Sequence, residues 1–152
     1  MASETPSSRR RRLVRLAAYA VGVVAGLTTL RTRSANSGRP TAAHAPFLAH
    51  AQRMRELASN NGDQPYGAVV VRGDTVIAAA PSRVVSRGDP TAHAEMEALR
   101  EAAAKLGTRN LSGCTLYGSS PPCAMCESAA YWANVDEVRS SGSGHAPRYG
   151  GC

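Results

Sequence analysis

The sequence predicts one α/β domain over residues 41–152: a mixed sheet of about five strands, sandwiched by helices in a three-layer α/β/α arrangement. Three observations predict it. Two short apolar runs flank Gly73-Asp74, which is the pattern of a β-hairpin. Downstream of them helix-like and strand-like stretches alternate, which implies parallel pairing through right-handed crossovers beyond the hairpin. The 112 residues that follow the first 40 are enough for a modest core but small for an α/β enzyme.

Each element follows from local pattern. Pro46–Ser59 reads as an amphipathic helix. Phe47, Leu48, Ala51, Met54 and Ala58 lie on one side, Gln52, Arg53, Arg55 and Glu56 largely on the other, and Asn60-Asn61-Gly62 stops it. Tyr66–Arg72 and Thr75–Ala80 form the hairpin. Asp89-Pro90-Thr91 supplies a turn, a proline and capping side chains ahead of an Ala-, Glu- and Leu-rich helix that ends at Lys105-Leu106-Gly107. Cys114–Gly118 is the next strand. Pro121-Pro122 then opens a second helix, Cys123–Trp132, and a short strand follows near Glu137–Ser140. The Gly-rich stretch Ser141–Cys152 reads as irregular, so a second subunit is expected to complete an apolar sheet face or site rim, as a homodimer.

The charge is unevenly spread. The net +7 resides wholly in residues 1–40, which hold eight Arg and one acid, while the remainder has ten basic and ten acidic side chains. A neutral second segment lacks the electrostatic footprint of a phosphate-tracking surface, which argues against a nucleic-acid partner such as tRNA. Residues 1–40 read as an Arg-rich hydrophobic targeting or anchor segment with a linker. Arg9–Arg12 precede Leu16–Leu30, fifteen residues without charge, short for a membrane span and suited to a signal-peptide core. The arginine pairs resemble a twin-arginine signal, and Ala43-His44-Ala45 offers cleavage spacing although Pro46 follows it. The expectation is an exported or membrane-anchored protein, with residues 9–30 engaging the membrane or export machinery. The alternatives are an uncleaved anchor over Leu13–Leu30, or a cytoplasmic protein whose true start lies near Arg39.

The chemistry concentrates in two motifs. His93-Ala94-Glu95 is followed, 28 residues after the Glu, by Cys123-Ala124-Met125-Cys126 with Pro122 in front. Two thiols and one imidazole make three zinc ligands, and three rather than four leave a position for water, the pattern of catalytic rather than structural zinc. Residues two apart in a first helical turn do not point the same way, so Glu95 reads as a proton carrier and not as a fourth ligand. Both motifs fall at predicted helix N-termini, where positive helix ends favour thiolate. Taken singly, each motif has a plainer reading. A lone Cys-x-x-Cys is more often a redox pair or half of a zinc ribbon, and a lone His-x-Glu is most often a surface pair. No second Cys-x-x-Cys exists, and Cys114 and Cys152 stand apart.

The joint signature is that of the zinc deaminases. The chain resembles the cytidine and deoxycytidylate deaminase superfamily from about Phe47 to Val138, closest to its guanine deaminase and tRNA adenosine deaminase branch. Gln64–Val71, Asp89–Glu95 and Leu111–Tyr117 carry the likeness. The resemblance implies a cytidine-deaminase-like fold, Zn2+ held by His93, Cys123 and Cys126, and Glu95 as proton shuttle. It implies hydrolytic deamination of a free nucleobase or nucleoside of guanine or cytosine type, in which zinc hydroxide attacks the amino-bearing ring carbon. The chain departs from the family at two positions. The family's substrate-binding Asn is replaced by Ser82, shorter and with a hydroxyl in place of an amide, and the residue before Pro-Cys, often Glu, is Pro121. Ser82, Ala94, Pro121 and Trp132 are the candidate substrate-binding positions, Trp132 because Tyr131-Trp132-Ala133 is similar to segments in guanine deaminases. Adenosine deamination within tRNA, which would need an exposed basic groove beside the site, is one alternative. A noncatalytic zinc-stabilised binding domain is another.

Overall fold

The computed structural model describes residues 42–141 and 143–148. Its elements run in the order α1 (Ala45–Asn60), β1 (Gly67–Arg72), β2 (Thr75–Pro81), α2 (Val84–Arg87), α3 (Ala94–Leu106), β3 (Cys114–Gly118), α4 (Ala124–Trp132), β4 (Glu137–Ser140) and β5 (Ser143–His145). The five strands form one sheet in the order β2-β1-β3-β4-β5.

Strand β1, between β2 and β3, explains the layering. Ala68-Val69-Val70-Val71 is an unbroken apolar run, and all four residues are buried because both faces of the sheet are covered. Ala68 and Val70 join Ala98, Leu99 and Ala102 of α3, Leu116, Ala130 of α4 and Val138 in the larger core. Val69 and Val71 face the other way, with Ala51 of α1 and Tyr117, where Phe47 and Leu48 also pack. Alternating side-chain direction along a strand thus sends neighbouring residues to opposite helical layers. A Cβ at Gly67 would stand 2.3 Å from both the Ala51 oxygen and the Arg55 nitrogen, so only glycine lets α1 lie this close to the start of β1.

Strand pairing differs from the expectation in one respect. The hairpin is antiparallel as predicted, with a register shift between Val70 and Val71. However, β3 docks on β1 rather than on β2, and it runs antiparallel to β1. Only β3 and β4 pair in parallel. The crossover through α3 therefore steps over β1, whose two apolar faces need an interior position. The tail also departs from the expected irregular chain: Ser143–His145 pairs antiparallel with β4. His145 Nε2 lies 2.9 Å from Glu127 Oε1 and the Arg148 N–H donates to the same oxygen at 3.0 Å, which ties the segment to α4.

The expectation of an exported or membrane-anchored protein is overturned. Among the described residues no helix is long and apolar enough to cross a membrane. The longest, α1, has 16 residues, about 24 Å at 1.5 Å per residue against a hydrocarbon core of about 30 Å. The residues proposed for cleavage are part of the fold: α1 begins at Ala45, and His44 Nδ1 is 2.8 Å from the buried Tyr117 hydroxyl. Residues 9–30, which carried the expectation, lie outside the described residues.

Candidate metal centre and active site

β2 and β3 run in the same direction, so the segments leaving their C-terminal ends, and the segment entering β1 between them, meet at one edge of the sheet. That edge carries every site residue placed together. The chain leaves β2 at Pro81 and reaches His93, the residue that precedes α3, in extended geometry (φ −60°, ψ 152°). It leaves β3 at Gly118 and reaches Cys123, the equivalent residue of α4 (φ −76°, ψ 169°). Asp89 and Thr91 do not cap α3. Asp89 Oδ1 instead accepts both the Thr91 N–H and its hydroxyl at 2.8 Å, shaping the turn that delivers His93.

His93 Nδ1, Cys123 Sγ and Cys126 Sγ form a triangle. The two Sγ–Nδ1 distances are both 3.7 Å and the Sγ–Sγ distance is 3.6 Å. A tetrahedral zinc with ordinary Zn–S and Zn–N lengths needs ligand edges of about 3.6–3.8 Å, so the donor set fits the ion in both chemistry and spacing. His93 is half-buried, Cys123 exposed and Cys126 fully buried. Burial, and then the neighbouring Glu95 and Cys123, push the Cys126 thiol up. The helix N-terminus alone thus does not make the thiolate, which needs a cation beside it.

Glu95 lies outside that ligand group. It is 5% exposed, and Cys126 Sγ donates to its Oε2 at 3.6 Å. Burial raises its pKa against the lowering influence of its own backbone N–H, Cys126 and His93. A carboxyl group desolvated in this way is suited to holding and releasing a proton near neutrality.

The triangle opens into a cavity of about 450 Å³, within the usual range for small-molecule sites. His93, Glu95 and Cys123 line its floor, with Ser120 and Pro121 on one wall and Gln64, Pro65 and Tyr66 on the other. Of the sequence-predicted substrate positions, only Pro121 lines it. Ser82 is 2% exposed, and its hydroxyl donates to Asp63 Oδ1 at 2.9 Å. Ala94 is buried in the core. Trp132 sits at the last turn of α4, 68% exposed, with its ring edge-on to Tyr131 at 5.4 Å. Sequence reasoning missed Gln64, Pro65, Tyr66 and Ser120 as lining residues. The available signal was position: Gln64-Pro65-Tyr66 directly precedes the most apolar strand, at the sheet edge shared by both metal motifs.

Hydrogen bonds fix both walls. Asp63 Oδ1 accepts the Gln64 N–H at 2.8 Å, and Asp63 Oδ2 accepts the Ser86 N–H at 2.9 Å. Across the cavity the Ser119 hydroxyl accepts the Gly67 N–H at 3.0 Å, and Gln52 Nε2 donates to the Ser119 carbonyl at 3.0 Å. Outside the site, Arg87 and Arg100 approach the buried Glu97 carboxylate at 2.6 and 2.8 Å, and Arg83 at 3.6 Å.

Comparisons with known proteins agree with this geometry. Residues 41–141 match the family described as "Cytidine and deoxycytidylate deaminase zinc-binding region". The guanine deaminase of Bacillus subtilis is 43% identical over 96 residues, which is 62% of each protein. An X-ray structure of guanine deaminase from that organism matches with a TM-score of 0.63 and 40% identity, covering 64% of this chain and 63% of that one. The tRNA-specific adenosine deaminase of Aquifex aeolicus is 40% identical over 92 residues, 60% of this chain and 61% of the relative. A third relative, solved in complex with 2,6-diaminopurine, matches with a TM-score of 0.62 and 33% identity, over 69% of this chain and 59% of that one. The chain thus spans about six tenths of the length of these relatives. With a three-ligand site spaced for zinc, a buried glutamate beside it and a family match across two thirds of its length, the chain belongs to the cytidine and deoxycytidylate deaminase family, through its zinc-binding region.

Proposed function

We propose that the chain is a zinc-dependent hydrolytic deaminase of a free nucleobase or nucleoside of guanine or cytosine type. The observation that carries the reading is the juxtaposition of the His93–Cys123–Cys126 triangle with the buried Glu95 carboxyl, where His93, Cys123 and Glu95 line one cavity. When bound, zinc supplies a Lewis acid that makes an attacking water acidic near neutral pH.

The chain's own groups do the rest. Glu95 accepts a proton at its carboxylate, passes it to the ring nitrogen next to the amino-bearing carbon, and passes a second to the departing amine. Water adds across the ring C=N bond, the exocyclic C–N bond breaks, ammonia leaves and a ring carbonyl remains. Ser120, Pro121 and the Gln64–Tyr66 segment form walls around a flat substrate. Backbone hydrogen bonds hold both walls before substrate arrives, and such preorganisation lowers the entropy cost of orientation.

Adenosine within tRNA is the second reading, favoured by the likeness to a tRNA-specific adenosine deaminase. A tRNA substrate calls for unneutralised positive charge around the site. The residues lining the cavity beside the metal triangle include neither Arg nor Lys, and Arg83, Arg87 and Arg100 line a separate surface cavity where they converge on Glu97, which supports the free-base reading.

The test is ammonia release by the zinc-loaded full chain from guanine, cytosine, their nucleosides and tRNA, with bound metal measured in parallel. Turnover of a free base or nucleoside is the expected result. Activity confined to tRNA would move the assignment to the second reading. Stoichiometric zinc with no ammonia from any substrate would mark a noncatalytic zinc-stabilised domain.

A further inference from the structure

Ser82 stands where the family's substrate-gripping amide is expected, yet its hydroxyl is spent on Asp63 and buried. Recognition of the base therefore falls to another group in the cavity. Gln64, whose N–H shares Asp63 Oδ1 with the Ser82 hydroxyl, offers the same amide chemistry. It lines the cavity with His93 and Glu95. Its backbone is held on both sides, the N–H by Asp63 Oδ1 at 2.8 Å and the carbonyl by the Tyr66 N–H at 2.7 Å. Its side-chain amide, by contrast, makes no hydrogen bond to any described residue. A pinned backbone carrying an unused carboxamide into a cavity is a preorganised recognition element.

A carboxamide sets an acceptor oxygen beside a donor NH2 in one plane. That pair complements a lactam edge: its oxygen accepts from a ring N–H while its NH2 donates to the adjacent ring carbonyl. Guanine has such an edge at N1–H and O6, and cytosine has one at N1–H and O2. Adenine has no ring carbonyl. Glu95 is occupied with proton transfer, Pro65 and Pro121 offer no side-chain hydrogen bond, and Tyr66 and Ser120 each offer a single hydroxyl, so among the lining residues Gln64 is the neutral side chain that sets a donor and an acceptor side by side.

We infer that Gln64 is the specificity residue of the site, reading the lactam edge of the base and selecting amino-bases that carry a ring carbonyl over those that lack one. The inference rests on the base-deaminase reading above, and the experiment separates the two. kcat/KM is measured for the zinc-loaded full chain and for Gln64→Ala on two pairs: guanine with 2-aminopurine, and cytosine with 4-aminopyrimidine. The second member of each pair keeps the amino group and lacks the carbonyl. Gln64→Ala is expected to lower kcat/KM on the carbonyl-bearing parent by about tenfold, the worth of a neutral hydrogen bond, and to change the carbonyl-free analogue by less than about threefold. Gln64→Glu, which keeps an acceptor and loses the donor, is expected to fall between wild type and Gln64→Ala on the parent. In a Glu95→Gln background the equilibrium affinity for the parent base should drop by a similar factor on adding Gln64→Ala. Equal losses on parent and analogue, or no loss on either, overturn the role of Gln64 while leaving the deaminase reading intact. Failure of the wild type to release ammonia from any of the four compounds overturns the role of Gln64, and failure on guanosine and cytidine as well overturns the deaminase reading with it. A melting curve close to wild type for Gln64→Ala confirms that the comparison is between folded proteins, as expected when only an amide without protein partners is removed.

Discussion

Gly118→Ala tests how tightly the metal loop and the proton carrier are packed against the sheet. Gly118 ends β3 opposite Ala68 and is absent from the positive-φ glycines, so its backbone accepts alanine and only space opposes the change. A Cβ there would stand 2.7 Å from the Ser120 carbonyl oxygen and 3.4 Å from Glu95 Oε1. The first contact is about 0.7 Å inside the ordinary range, and the atom it meets is backbone, which cannot rotate away. The Ser119–Pro121 loop must move outward by that amount, although the Ser119 hydroxyl and carbonyl are both bonded across the site. Overpacking of this kind costs about 1–3 kcal/mol. For a domain near 100 residues, about 2 kcal/mol corresponds to a fall in Tm of roughly 8–16 °C. Because a 1 Å misplacement near reacting groups can cost about a hundredfold in rate, a displacement somewhat smaller is expected to lower kcat by roughly tenfold or more. Thermal melts of the purified variant, with ammonia release on the best wild-type substrate and zinc content, are the assay. A variant with unchanged Tm and unchanged rate would refute the packing argument. A lowered Tm with full activity would refute the link to Glu95 and the loop.

Three further outcomes follow from the same structure. Glu95→Gln removes the proposed proton carrier but none of the three atoms that could hold a metal. Ammonia release should fall by about 10²–10⁴-fold while zinc content stays at wild-type level, and activity within tenfold of wild type would end the proton-carrier role. Removing zinc with a chelator leaves two adjacent thiols beside a buried carboxyl. The melting temperature should drop and recover on adding Zn2+, since a ligand at about 100 times its Kd stabilises by about 2.7 kcal/mol; identical melts with and without metal would contradict a site built for it. Asp63 is expected to make stability fall in acid. Burial would raise its carboxyl, but hydrogen bonds from Ser86, Gln64 and Ser82 outweigh that and hold it well below the usual carboxylate range. A folded pKa below the unfolded one adds stability above about pH 4, which is lost as pH falls further. Asp63→Asn should therefore lower Tm at pH 7 and flatten the decline between about pH 5 and 2, and an unchanged acid limb would show that the carboxylate is not holding the cavity wall.

The sequence by itself determined what depends on neighbours along the chain. The amphipathic spacing of α1, the hairpin at Gly73-Asp74, the stop at Gly107 and the grouping of His93, Cys123 and Cys126 with Glu95 beside them were all legible. Each is written in a period, a turn residue or a short motif. The tertiary structure decided what depends on residues far apart in sequence. It placed β1 inside the sheet, between β2 and β3, because a strand apolar on both faces must be kept off the sheet's edge. It brought His93 to within 3.7 Å of two sulfurs some 30 residues downstream, because two helices begin at the same sheet edge. Three-dimensional packing also separated the substrate positions that the sequence had grouped. Ser82 turns inward because Asp63 offers a buried acceptor that its short side chain can reach. Trp132 ends nine residues beyond Cys123 on the exposed last turn of α4. Gln64, which opens a stretch that carried the family likeness but was not read as a site residue, lines the cavity because the start of β1 lies at the sheet edge that also carries His93 and Cys123. A motif records which groups are chemically able to act, whereas the direction in which each side chain points is set by the partners that long-range packing brings beside it.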